Sequence, residues 1–260
     1  MAVLEGMTDL TVGEFVRCSE DLMIPAGDSL SFFSVISMDK EETERLVFGP
    51  FGALPPEVLR HLPNLGLVLV PYLERPTEKA FDQDDLRITF SPPSESARHG
   101  ALIVQAGERN LLFLPVGGDD TYDAHLELYG ELAHALRKTM GDALAAPFNS
   151  LLDRELGANV RGEVDGYAWN AKRALQRLDR GDNDADLLAG YRLMALERTL
   201  LLYLHGLCCD ITVEAGPQQL PTKYMRRRLL QLRERFPPPK GVPLFPEEIE
   251  SPPARSPVPS

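Results

Sequence analysis

The chain has 260 residues, of which 43% are hydrophobic and 25% charged, enough apolar material for one large globular domain or two small ones. Its formal net charge of −12 excludes general affinity for nucleic acid, which depends on neutralising phosphates. Three cysteines, two of them adjacent (Cys18, Cys208 and Cys209), give no disulfide framework. The opening MAVLEGMTDL has neither a basic start nor a long apolar stretch, so the reading is a cytoplasmic protein without a membrane anchor.

Residues 1–28 are weakly patterned, with Val12, Phe15 and Val16 marking a short helix or turn after Thr11. From Ser29 the signals are those of β-structure: short runs rich in Val, Ile, Leu and Phe at 29–36, 45–51, 65–73, 86–90, 101–105 and 110–116, bounded by Gly, Pro, Asp and Ser. The last two runs are joined by Ala106–Arg109 and read as an antiparallel hairpin. Pro55 and Pro56, followed by Val58, Leu59 and Leu62, predict one short helix between the second and third runs.

From Tyr122 the apolar period becomes helical and stays so to Phe236. Tyr122, Leu126, Tyr129, Ala133, Leu136, Met140 and Leu144 form the stripe of a first long helix. Its Glu131 and His134 have the E-x-x-H spacing of a di-iron ligand pair, but both point away from the stripe and the chain has no second such pair. Pro147 and Gly157 bracket a short second helix, and Asp165 caps a third. Asp182, Asp184 and Asp186 begin like a calcium loop, yet its sixth and twelfth positions are Leu187 and Leu193, so these acids read as a polar loop and helix cap.

The helix that follows, 184–209, carries apolar residues on every side after Thr199, which predicts a buried central helix; the run is too short and too closely bounded by charge to span a bilayer. Its last turn holds His205, Cys208 and Cys209. Spacings of three and four place the two thiols within reach of the imidazole, as for a zinc or iron site or for a thiol beside a base. A thiolate at a helix C-terminus opposes the helix dipole, an objection that metal ligation escapes. Glu197, His125 and His134 are candidates to complete such a site, while the plainer account of the group is core packing.

Residues 210–214, DITVE, suggest a short strand. Thr222 is placed to cap a final helix with the stripe Met225, Leu229, Leu232 and Phe236. Between Lys223 and Arg235 lie six basic residues and one acid, a local +5 that leaves −17 for the rest of the chain. Arg226, Arg227 and Arg228 are therefore candidates for binding an acidic partner or an anion. Residues 239–260 are rich in Pro, Ser and Glu and predict a disordered tail. P-loop, dinucleotide, nucleophile-elbow and zincin motifs are absent.

These readings predict an α+β protein: a mainly antiparallel sheet over 1–118, a helical bundle over 119–238 and a tail over 239–260. The function expected is binding to a protein partner, with no cofactor. The alternative is a metal- or thiol-dependent enzyme built on His205, Cys208 and Cys209.

Overall fold

The strands lie in the first half of the chain, among short helices, and the long helices follow, consistent with an α+β protein. The computed structural model describes residues 10–18, 22–26, 30–76, 82–118, 121–177, 185–209 and 218–249. Asp182 and Asp184, the DITVE segment and the end of the tail lie outside these residues.

Helix α1 (Val12–Cys18) starts with a reciprocal cap, the Thr11 hydroxyl accepting from the Glu14 N–H and the Glu14 carboxylate from the Thr11 N–H. Strands β1 (Ile24–Pro25) and β2 (Leu30–Ser34) follow. The run at 45–51, expected as a strand, is helical: α2 (Lys40–Thr43) passes through a π-helical turn at Glu44–Phe48 into α3 (Gly49–Gly52). Asp39 and Glu42 form a capping box that commits the segment to helix. Leu46, Val47, Pro50 and Phe51 then share its buried face, a helical spacing. Helix α4 (Pro56–His61) begins at the expected prolines.

The remaining strands are β3 (Leu65–Val70), β4 (Tyr72–Glu74), β5 (Arg87–Thr89), β6 (Arg98–His99), β7 (Leu102–Ala106) and β8 (Arg109–Pro115). Five of the eight form one sheet in the order β1-β2-β3-β8-β7, and the other three form a small sheet in the order β5-β4-β6. β7 and β8 are the expected antiparallel hairpin, but the centre of the main sheet is parallel, β2 with β3 and β3 with β8. The sheet is therefore mixed. The helical segment between β2 and β3 carries the chain back across the sheet, which permits the parallel pairing.

β3 is buried along its whole length, and its side chains alternate between two apolar clusters. Leu65, Leu67 and Leu69 join the larger one with the helices; Val68 and Val70 join the smaller one with α1 and the small sheet. The larger cluster runs continuously from β2 and β3 into the helical part.

Helices α5 (Thr121–Met140) and α6 (Asp142–Gly157) are separated by Gly141, whose φ of +50° suits glycine. The break falls there and not at Pro147, which lies inside α6 on an exposed face where water reaches the carbonyl that proline leaves unbonded. Helix α7 (Gly166–Gln176) is capped by Asp165, as expected. Helix α8 (Ala185–Cys208) is the central one, packed on α5, α6, α7 and α9 (Thr222–Arg235). Thr222 is the first residue of α9 and not its cap; Pro221 precedes it. A short α10 (Pro246–Ile249) closes the described chain.

One polar cluster sits among these helices. Arg228 of α9 is 0% exposed and donates to Glu155 of α6, from Nε at 3.0 Å and from NH2 at 2.6 Å. It also donates to Glu163, before α7, at 2.7 and 3.1 Å. Lys172 of α7 (3.0 Å) and the Tyr191 hydroxyl of α8 (2.7 Å) donate to the same Glu163. Two cations face two carboxylates, so the buried charge cancels. Burial works to raise the Glu163 carboxyl, but hydrogen bonds and charge from Arg228, with Lys172 and Tyr191, prevail and hold it below the ordinary carboxylate range.

Removing one member leaves the others uncompensated. Arg228→Met is expected to lower stability by about 3–5 kcal/mol, read from the chemical denaturation midpoint; a loss under about 1 kcal/mol would mean that the network is solvated in solution. A carboxyl whose folded pKa is depressed contributes stability above its unfolded pKa, and that contribution is lost as pH falls through the folded value. The stability gap between the protein and Glu163→Gln should thus be widest above about pH 5 and narrow as the pH falls below about 4. A gap that widened on acidification would contradict this placement of Glu163.

Candidate functional sites

The chemistry-bearing residues gather in two places, the C-terminal end of α8 and the outer face of α9. At the first, α8 brings Cys208 and Cys209 to the N-terminal part of α5, where His125 faces them. The His125 Nδ1 lies 3.2 Å from the Cys209 Sγ, and one ligand atom from each of His125, Cys208 and Cys209 falls within 4.8 Å of the others. Among the described residues this is the one group of three or more His, Cys, Asp or Glu side chains with such spacing. His125 is nearly buried, whereas both thiols are half-buried.

The tautomer of His125 follows from its other nitrogen. Nε2 is 2.9 Å from the Arg45 carbonyl, which only accepts, so Nε2 carries the proton and Nδ1 presents a lone pair to the thiols. The Arg45 carbonyl is available because of the π-helical turn. The Gly49 N–H bonds to Glu44, and the next residue in that spacing is Pro50, which has no N–H to offer Arg45. Pro50 in turn receives the Tyr129 hydroxyl on its own carbonyl at 3.2 Å.

His205, expected to share the thiols, is turned into the core. It is 1% exposed, with its ring 5.6 Å from that of Tyr129 and 6.5 Å from that of His125. Burial first, and the neighbouring His125 second, push its pKa down to about 4, so it is neutral at physiological pH. A hydrogen bond with Cys209 lowers the Cys208 thiol from its ordinary range, and burial opposes this. Burial raises the Tyr129 hydroxyl well above its ordinary range.

The other expected completers lie elsewhere. Glu197, about 16 Å up α8 from Cys208, pairs with His134 at 3.1 Å and with Arg137. His125, contributed by a helix some 80 residues earlier, is legible as a histidine but not as a neighbour, since no local spacing connects it to the thiols.

On α9 the three consecutive arginines separate. Arg228 enters the buried network and is unavailable to a partner. Its burial has a sequence signal: it lies three residues after Met225 and four before Leu232, within the apolar stripe. Arg226 is exposed, pairs with Glu247 and lies over the Phe245 ring at 3.9 Å. Arg227 and Lys223 are exposed on either side of Tyr224, and α6 adds Arg154. These side chains line an open groove of about 590 Å³ between α6 and α9, with Leu151 and Leu230 in its lining and Glu234 as its one acid. Among the described residues Arg154, Lys223 and Arg227 form no ion pair.

Among the described residues no helix is long and apolar enough to cross a membrane. Set against protein-family models, curated proteins and solved structures, the chain matches none.

Proposed function

We propose that the protein acts by binding an acidic segment of a partner protein in the groove between α6 and α9. The observation that carries this is the convergence of Arg154, Lys223 and Arg227 on one groove without ion-pair partners among the described residues. On a chain of net charge −12, exposed cations have many acids to pair with. Three left together form a patch of positive potential, and such a patch steers and orients an acidic ligand. Leu151 and Leu230 add apolar surface between the charges, along which arginine and lysine stems also lie.

An acidic peptide fits better than a nucleic acid. A polyanion running past the groove would meet a body that carries −17 outside residues 223–235, whereas a short segment meets only the basic patch. Arg228 takes no part, and Arg226 contributes after exchanging Glu247 for the ligand.

The test is fluorescence anisotropy with a labelled Asp/Glu-rich peptide and a single-stranded oligonucleotide of equal charge as comparison. Binding should weaken with salt and fall at least ~10-fold in the triple variant Arg154→Glu/Lys223→Glu/Arg227→Glu, with the thermal melt unchanged, since each rim charge reversed removes about 1 kcal/mol or more of attraction. Equal affinity of the protein and the triple variant for the peptide would discard the groove, and tighter binding of the oligonucleotide would replace the acidic peptide as its ligand.

A further inference from the structure

Independently of the groove, we propose that His125, Cys208 and Cys209 form a binding site for a thiophilic metal ion, with zinc the divalent ion of choice. Three features of the geometry bear on it together. The donor set is one imidazole nitrogen and two sulfurs, which favours zinc or monovalent copper over magnesium or calcium. Two thiolates with a neutral imidazole carry two negative charges, balanced by one divalent cation in a half-buried place where an unbalanced pair would be costly.

The spacing is close to what a tetrahedral ion needs. With metal–sulfur bonds of about 2.3 Å and metal–nitrogen bonds of about 2.0 Å, ligand atoms stand roughly 3.5–3.8 Å apart. Here Nδ1 and the Cys209 Sγ are 3.2 Å apart and no pair in the group exceeds 4.8 Å, so small side-chain rotations suffice.

The third feature is the orientation of the imidazole. A histidine that ligates through one nitrogen generally donates the other N–H to a carbonyl or carboxylate, which fixes the ring and its tautomer. The Arg45 carbonyl does this for His125, and Pro50 leaves that carbonyl available. His205 is not a ligand but packs behind the site against Tyr129. An ion here would join α5, α8 and the π-helical turn, and the half-exposed thiols give it access from solvent.

The experiment uses the reduced full chain. Zinc is titrated in competition with a chromophoric chelator, and cobalt(II) is added separately as a spectroscopic probe. One equivalent should bind, with cobalt giving thiolate charge-transfer bands and the intense visible bands of a tetrahedral site. Cys208→Ser/Cys209→Ser should lose the charge-transfer bands and bind zinc at least ~100-fold more weakly, and His125→Gln, which retains a donor for the Arg45 carbonyl, should weaken it ~10-fold or more. His205→Ala should keep both stoichiometry and spectrum. Circular dichroism of each variant identifies any that fails to fold; the cobalt spectrum of the unmodified chain decides the matter even then. The proposal is overturned by a folded chain that binds less than about a tenth of an equivalent, by a spectrum without thiolate bands, or by ligation that follows His205 instead of His125.

Discussion

The buried ion network around Glu163 is the constraint on which the helical part depends. Four helices and one loop meet at a point where apolar side chains would ordinarily sit, and each contributes one polar group to a cluster that is neutral only when complete. A buried network of this kind is poor evidence for extra stability, because well-packed apolar residues often do as well. Its value is selectivity: an arrangement of α6, α7, α8 and α9 that leaves Arg228 or Glu163 without its partners is heavily penalised. The loop carrying Glu163 is held on its other side by backbone hydrogen bonds to Gln218 and Leu220, so α9 is fixed from its start as well as from its middle. Gly162, with φ of +79° and the Gln219 carbonyl where a Cβ would stand, is what allows the two segments to approach so closely.

How much of this was legible in the sequence varies with the range of the interaction. The strands at 65–73 and 110–116 and the long helices are local patterns, and the structure has strands and helices there. The segment 45–51 misled because its apolar composition resembles a strand, while the decisive signal, the Asp39 and Glu42 cap, lies upstream. Strand direction was hidden for a different reason. Whether β2 pairs parallel or antiparallel to β3 is set by the route of the intervening chain, and a strand-like composition at 45–51 hides the helical crossover that makes the pairing parallel.

The sites divide along the same line. Cys208 and Cys209 attract notice in any reading, but the histidine that meets them comes from α5, and helix packing alone brings it there. Local spacing favours His205, three residues from Cys208, yet the apolar surroundings of α8 bury its ring beside Tyr129, and the close group of donors is His125 with the two thiols. The arginine run shows the converse: the helical period already placed Arg228 on the apolar stripe, and only the count of neighbouring charges suggested an exposed triplet.

Pro50 has a reach that its position in a short surface helix conceals. Because it supplies no N–H, the carbonyl of Arg45 looks outward for a donor, and the donor it finds is an imidazole 80 residues further along the chain. A residue with an N–H at position 50 would offer Arg45 a partner at home, and the proton on His125 would then be free to move to the nitrogen that faces the thiols. The location of one proton on α5 is thus written in the backbone chemistry of a different element, and the pyrrolidine ring of a proline acts there as a selector of tautomers.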